Sequence, residues 1–407
     1  MSVHDTVQVP PPAIAMSVSD FADTLFGHLP RADQRRWAEA YLKGLLTTPG
    51  KKSVRRLAAA VSSSPTASHS LQQFLNASPW DWAPARRELT RLTAHWARTR
   101  AWSLTTAVLP KRGEHSVGVH RWFIPAAGRV VNCQQGLGAF AATDQGNLPV
   151  DWRLALPECW TEDAQRRERA RIPLSVRHRP MSAYALDLVD TLRAGSASSP
   201  PPVVADMSTF SETDVLLRGL IQREQDFVIA VPDKLRVIPV GYASGSPLRT
   251  PPNSGPVLGA QQLLRQCGLR RPHTSTLMGH GGGARQVRAV SGMVHLAGSA
   301  SSPERQRTAL RVFTQCRPVG HRFAPVWITN MMQERIDELF TLAHLNAGSA
   351  ATIQDMQENH GLLDFEGRSF PGWHHHMTLV SAAYAYRRLA PPAAHQQHAF
   401  GAYWAAA

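Results

Sequence analysis

Apolar side chains recur three or four positions apart in the first hundred residues, at Phe21, Leu25, Leu29, Trp37, Tyr41 and Leu45. This spacing is that of one face of an α-helix, so we expect amphipathic helices with a break at Pro30. Residues 1–16 contain a run of prolines and lack the periodicity. The pattern therefore predicts a flexible leader followed by a helical domain over residues 17–100.

Two short apolar patterns inside this region are separated by a turn rich in serine and proline. SVRRLAAAV, residues 53–61, and HSLQQFLNAS, residues 69–78, predict two helices arranged as a helix-turn-helix, which places its second helix in the major groove of DNA. An ordinary helical hairpin explains the same pattern equally well. The side chains proposed to contact phosphates and adenine edges are Arg55, Arg56, Gln72 and Gln73.

Alternating and β-branched apolar runs replace the helical spacing after residue 100. Residues 101–109, 116–124 and 129–142 predict a three-stranded meander. Residues 201–206 and 226–231 each follow a helical pattern and predict short buried strands. A meander followed by alternating helices and strands predicts an α+β or α/β fold with a mixed, RNase H-like sheet.

Proline, glycine, serine and arginine dominate residues 232–325, where the clearest strand pattern covers residues 286–297. We interpret this region as a β-rich insertion. It divides the RNase H-like core into a first part, residues 101–231, and a C-terminal helical part, residues 326–390. Residues 391–407 are interpreted as a tail.

The charge balance points to a polyanionic partner. Lys and Arg number 44 against 30 Asp and Glu, which gives a net charge of +14. Nucleic acid is the leading partner for such a surface, although arginine that serves solubility alone gives the same balance. No stretch of about 18 apolar residues occurs, so no membrane association is expected and the predicted location is the cytoplasm.

Six sequence blocks, in order along the chain, resemble bacterial insertion-sequence transposases: PRADQRRWAEAYLKGLL, LQQFLNASPWDW, PKRGEHSVGV, DWRLALPECW, VVAD and FEGRSFPGWHHH. The resemblance is to insertion-sequence group seven-zero-one, a branch of the DDE endonuclease superfamily. It implies a helical N-terminal DNA-binding domain, an RNase H-like core with a β-rich insertion, and DNA as the partner.

Active members of that family hold two magnesium ions with three carboxylates, and the ions activate the nucleophile and stabilise the leaving oxygen. The resemblance puts Thr105 and Thr106 at the first acidic pair, with Thr106 named as the replaced acid. It puts Asp206 at the second acid and Ala350 at the third. Gln357 stands where the family usually has lysine. Only Asp206 is retained, so it is the one expected catalytic residue and metal ligand.

Asp355 and Glu358 would replace the third acid only if the helix register shifted, because positions 350 and 355 project in different directions. No cofactor is expected, and Mg²⁺ is required only if the site is active. The three histidines at 374–376 cannot converge on one ion and are expected to pack, cap the helix or touch phosphates. Further predicted phosphate contacts are Lys111, Arg112, Arg121 and Arg368.

The leading hypothesis is a DNA-binding protein on a DDE transposase framework whose cleavage site is degraded. One alternative is an active transposase that cuts and joins DNA by magnesium-dependent hydrolysis and transesterification. The other is an interaction protein that does not bind DNA. The chain is also a possible homodimer.

Overall fold

The computed structural model describes residues 16–124, 128–195, 199–240, 256–268, 273–278, 284–298, 308–316 and 324–390. Five helices form its N-terminal part: α1 Val18–Phe26, α2 Ala32–Thr47, α3 Val54–Val61, α4 Ala67–Asn76 and α5 Ala83–Trp96. Serine side chains cap two of them, because Ser17 accepts from the Asp20 N–H and Ser53 from the Arg56 N–H. The predicted helices on both sides of Pro30 and in the pair α3 and α4 are confirmed.

A mixed sheet follows the helices. Its first half consists of β1 Ala101–Pro110, β2 His120–Ile124, β3 Arg129–Thr143, β4 Gly146–Ala155, β5 Val203–Asp206 and β6 Phe227–Val231. Strand β3 pairs antiparallel with β1 along one edge and with β4 along the other, while β1, β5 and β6 run parallel. The order β4-β3-β1-β5-β6 is that of an RNase H-like core.

The predicted meander is wrong in its second member, whereas its first and third members correspond to β1 and β3. Only residues 120–124 of the predicted strand 116–124 are extended, and they form a short arm on the first residues of β3. The third long strand is β4. Its sequence GNLPVDWRLA lacks an apolar alternation because Asn147 and Asp151 are buried polar residues with partners in the fold. Pro149 is tolerated because β4 pairs with β3 alone among the described strands.

Three described helices follow β4 and precede β5: α6 Glu158–Thr161, α7 Ala164–Ala170 and α8 Met181–Ala194. Helix α9, Thr213–Gln222, connects β5 to β6, as the sequence pattern predicts. Both predicted short strands are also confirmed, because β5 and β6 are fully paired and their apolar residues are buried.

The second half of the chain continues the same sheet. Its elements are β7 Arg236–Pro239, β8 Leu258–Gly259, α10 Ala260–Gly268, β9 His273–Met278, β10 Ala284–Leu296, β11 Leu310–Gln315 and β12 Val326–Thr329. Strand β12 pairs with β6 and links it to β11, β10 and β7. The region predicted as an insertion is β-rich, and its described strands extend the core sheet.

Two long helices end the described chain, α11 Ile336–Asn359 and α12 Phe370–Leu389. Helix α12 is almost wholly buried and shares one hydrophobic core with the five N-terminal helices and β4. Helix α11 covers one face of the sheet, and α8, α9 and α10 cover the other. None of the described helices combines the length and apolarity needed to span a bilayer.

Candidate functional site

The retained acid lies beside the first strand of the core. Trp102 to Leu104 of β1 run parallel to Val203 to Ala205 of β5. The next pair in this register is Thr105 with Asp206, at the end of β5. Asp206 is exposed, and its Oδ1 accepts a hydrogen bond from the Ser208 N–H at 3.0 Å. Thr105 and Asp206 are therefore neighbours at the carboxyl end of parallel strands, where ligands of open α/β sheets bind.

Contacts with helix α11 show which of the two threonines, Thr105 or Thr106, points towards that helix. The Asn346 amide donates to Ser103 Oγ at 3.0 Å, to the Leu104 carbonyl at 3.1 Å and to Thr105 Oγ1 at 3.1 Å. Ser103 and Thr105 therefore point towards α11. Leu104 packs on the opposite face against α8 and α9. Because side chains alternate along a strand, Thr106 shares the face of Leu104.

The side chain of Thr106, which the resemblance names as the first replaced acid, thus points away from α11, whereas that of Thr105 points towards it. On β5, Val204 packs against α11 while Val203 and Ala205 pack on the other face. Asp206 follows Val204 in this alternation. Its side chain and that of Thr105 therefore lie on the same face of the sheet.

Ala350 lies on the same side of α11 as Asn346, one helical turn further along. The helix runs beside β1 in the same direction, because Gln357, two turns later, donates to the Val108 carbonyl at 3.2 Å. Asn346, Ala350 and Gln357 thus form one stripe that faces β1. Ala350 is exposed and lies between these two contacts along α11. Thr105 and Asp206 therefore lie on the face of the sheet that α11 covers, and Ala350 lies one turn after the Asn346 that contacts Thr105. We call the region of these three positions the candidate cleft.

The two candidate substitute acids lie elsewhere on α11. At 100° per residue, Asp355 projects about 140° away from Ala350, and Glu358 lies about 12 Å further along the axis. Asp355 accepts a hydrogen bond from Asn359 at 2.9 Å, and Glu358 accepts one from Gln354 at 2.9 Å. Both carboxylates are therefore held by neighbours on their own helix.

The cleft is a poor match for magnesium. Mg²⁺ requires several oxygen ligands in octahedral geometry, and carboxylates supply the charge that holds it. The three converging positions provide one carboxylate, one hydroxyl and one methyl group. Within the described residues, no cluster of three or more histidine, cysteine, aspartate or glutamate side chains is arranged to hold a metal ion.

The helix-turn-helix candidates lie on the surface. Arg55 is exposed on α3, and Gln72 and Gln73 are exposed on α4, whose opposite face is buried against the other helices. Arg56 is also exposed, but one of its guanidinium nitrogens donates to the Pro49 carbonyl at 2.9 Å. The positions allow contact with DNA, and the contact itself stays a prediction.

The basic residues around the first hairpin divide into two kinds. Arg112, Arg121 and Arg368 are exposed. The Lys111 ammonium instead donates to the Phe365 carbonyl at 2.9 Å, and burial lowers the pKa of Lys111 to about 8. Lys111 therefore ties β1 to the segment before α12, and of these four predicted contacts the three arginines are the exposed ones.

The three consecutive histidines are all buried in α12. His375 places Nδ1 2.8 Å from the Leu75 carbonyl and Nε2 2.9 Å from the Trp80 carbonyl, so the neutral ring, which has one N–H, donates to one of them, and it stacks on the Trp80 ring at 3.8 Å. His376 hydrogen-bonds Tyr41 at 3.0 Å. Burial lowers the pKa of His375 to about 4 and that of His376 to about 3. They are uncharged packing residues, and contact with DNA phosphates is excluded.

Two polar residues central to this geometry were missed in the sequence. Asn346 fixes α11 to β1, and Asn147 of β4 donates to the Leu345 carbonyl at 2.6 Å and to Ser349 Oγ at 2.7 Å. An asparagine in the middle of a long apolar helix, four residues before the expected third acid, was the available signal for Asn346.

The strand order and the cleft at the end of β1 and β5 define the class as an RNase H-like nuclease fold. The model of the DDE superfamily endonuclease family matches residues 24–293, which is about two thirds of the chain. The chain belongs to this family. The match includes Thr105 and Asp206 and ends before Ala350. A search of curated proteins found no match.

Proposed function

We propose that this protein binds DNA on a DDE transposase framework of insertion-sequence group seven-zero-one and that its strand-cleavage site is degraded. The observation that carries the proposal is the convergence of Thr105, Asp206 and Ala350 at one cleft. If these are the three family positions, as the resemblance implies, a single acid is left among them. Exposed arginines remain on the hairpin that follows β1 although two acids are absent.

The loss of two carboxylates removes a large part of the electrostatic free energy that holds a divalent ion. A unit charge about 4 Å from a divalent ion gains about 8 kcal/mol at an effective dielectric of 20, before desolvation is subtracted. The uncharged side chains of Thr105 and Ala350 provide no such attraction. Asp206 alone then holds at most a weakly bound, hydrated ion, so this cleft is not expected to support two-metal strand cleavage.

Binding of DNA is supported by the net charge of +14 and by the distribution of free arginines. Arg112 and Arg121 are exposed near the end of β1, and Arg368 lies close by because its carbonyl accepts from the Val117 N–H at 3.2 Å. Arg55 adds a separate contact on α3. Long-range attraction and counterion release are the expected source of affinity.

A salt titration of duplex DNA binding tests the proposal. Affinity is expected to fall steeply with salt, and Arg121→Ala should lower the slope of log K against log salt by about 1. Arg335→Ala is the matched control, because it removes the same charge from an exposed arginine paired with Asp337. Absence of salt-sensitive binding by the wild-type protein contradicts the proposal and favours the interaction protein.

The active transposase is tested separately, by magnesium- or manganese-dependent nicking of DNA that carries candidate terminal repeats. The proposal predicts no product above that of Asp206→Ala. Metal-dependent nicking that Asp206→Ala abolishes would establish a working site and overturn the degraded-site proposal, while leaving DNA binding intact.

A further inference from the structure

The arm formed by β2 and the first residues of β3 exposes an unusual amount of apolar surface. Trp122 is 42% exposed, Phe123 55% and Val130 50%. Large apolar side chains of monomeric proteins are rarely grouped in this way unless the patch binds something. We call residues 120–124 with residues 129–133 the aromatic arm.

The two aromatic rings lie on opposite sides of the arm. Phe123 pairs with Val130 and Trp122 with Val131, and successive side chains of a strand point to opposite faces. The Trp122 indole meets the ring of His120 edge to face, with 5.7 Å between centroids and 77° between planes. The arm therefore carries one partly exposed ring on each side, and Trp122 borders a cavity that Leu156, Met181 and Phe210 also line.

Arginines accompany the rings. Arg121 and Arg129 are exposed and line one cleft of the arm together with Lys111. Glu114 is the acidic residue that borders this cleft. Aromatic rings beside guanidinium groups match the chemistry of nucleic acid, because the rings stack on bases while the arginines neutralise phosphates.

The arm extends from the end of the sheet that carries the candidate cleft. Thr105 is opposite Gly138 of β3, and Phe123 is opposite Val130 of the same strand. The eight intervening steps along β3 span about 26 Å at 3.3 Å per residue. This distance corresponds to about eight nucleotides at 3.4 Å per step. A DNA strand with one nucleotide at Asp206 therefore reaches the arm about eight nucleotides further along.

We propose that the aromatic arm binds DNA where the two strands separate, with Trp122 and Phe123 each stacking on an unpaired base. This inference rests on the proposed DNA binding and adds the form of DNA that is preferred. Bases inside a duplex have both faces covered by their neighbours, whereas unpaired bases at a junction offer a free face. A ribbon with a ring on each side fits between two diverging strands.

The test compares a 20-base-pair duplex with a forked DNA that has the same duplex and two unpaired arms, using fluorescence anisotropy and the full chain. The wild-type protein is expected to bind the fork at least about tenfold more tightly. The variant Trp122→Ala/Phe123→Ala should lose about tenfold in fork affinity, or about 1.4 kcal/mol, and bind the duplex nearly unchanged.

Val215→Ala is the matched control. The exposed fraction of Val215, 50%, lies between those of Trp122 and Phe123, but Val215 is on α9 and outside the arm. Trp122→Phe should retain most of the fork preference, since a phenyl ring still stacks. A 2-aminopurine placed in the unpaired arm should lose fluorescence with the wild-type protein and not with the double variant.

Three outcomes overturn the inference. Equal binding of fork and duplex by the wild-type protein rejects it and leaves the proposed DNA binding in place. Failure to bind either DNA rejects both. A wild-type dimer that becomes monomeric in the double variant, with the fork preference unchanged, identifies the arm as a self-association surface.

Discussion

Arg86 of α5 joins the N-terminal helices to the sheet through a buried ion pair. Its side chain is 4% exposed, and its Nη1 lies 2.7 Å from Asp151 Oδ1 of β4. Its Nε donates to Thr378 Oγ1 at 2.8 Å, and its Nη2 donates to the His374 carbonyl at 2.9 Å. One guanidinium therefore connects α5, β4 and α12.

Replacing this guanidinium should destabilise the fold. Burial raises the pKa of Asp151, but the charges of Arg86 and Arg153 outweigh it and hold the pKa below its ordinary value. In Arg86→Met the carboxylate stays enclosed, with Arg153 at 2.9 Å as a remaining charged partner and the Trp152 N–H as a remaining neutral donor. Removing one member of a buried pair costs about 3–5 kcal/mol. Because Arg153 remains, we expect about 3 kcal/mol.

Equilibrium unfolding in urea measures this loss. The double variant Arg86→Met/Asp151→Leu should recover much of it, since replacing both charges by apolar groups removes the unpaired carboxylate. Arg91→Met is the control, because Arg91 lies on the same helix but its side chain is 62% exposed. Its expected change is within about 0.5 kcal/mol. A loss below about 1 kcal/mol for Arg86→Met refutes the reasoning.

Two further predictions concern stability. His375 and His376 are buried uncharged with lowered pKa values, and the unfolded chain takes up their protons near pH 6.5. Stability should therefore fall by about 2 kcal/mol per histidine between pH 7 and pH 5, and His375→Gln should flatten that fall in urea unfolding. Constant stability over this range contradicts the assignment. Gly138→Ala should cost about 1–3 kcal/mol in thermal unfolding, because its Cβ would lie 2.8 Å from the Trp152 ring. Gly113→Ala, with no atom within 4 Å of its Cβ, should be neutral, and equal effects from the two variants contradict this account.

Helical periodicity and short apolar runs were sufficient to predict α1 to α4, β5 and β6. They failed for β4, where Asn147 and Asp151 are buried and polar. The partners that make their burial favourable, Ser349 and Arg86, lie far away in the sequence. They failed also for β12, whose four residues were read as the beginning of a helical region. Local pattern does not reveal a polar residue that is satisfied by a distant one.

The resemblance names the members of the candidate cleft but does not give the directions of their side chains. Resemblance placed Thr105 and Thr106 together, but the choice between them depends on which face of β1 the helix α11 covers. That choice is fixed by the bonds of Asn346, which no local pattern reveals. The histidines at 374–376 illustrate the reverse case, because a motif that looks reactive is accounted for entirely by packing and carbonyl contacts.

Manganese binding, measured by electron paramagnetic resonance, tests most directly the proposal that the candidate cleft has lost its metal-binding carboxylates. Thr105→Asp/Ala350→Glu returns two carboxylates to the face of Asp206 and is expected to bind Mn²⁺, which broadens the signal of the free ion. Thr106→Asp/Ala350→Glu adds the same charge with one acid on the opposite face and should bind far more weakly. The account predicts that the wild-type protein leaves the free-ion signal unchanged. Tight wild-type binding that Asp206→Ala abolishes would contradict it.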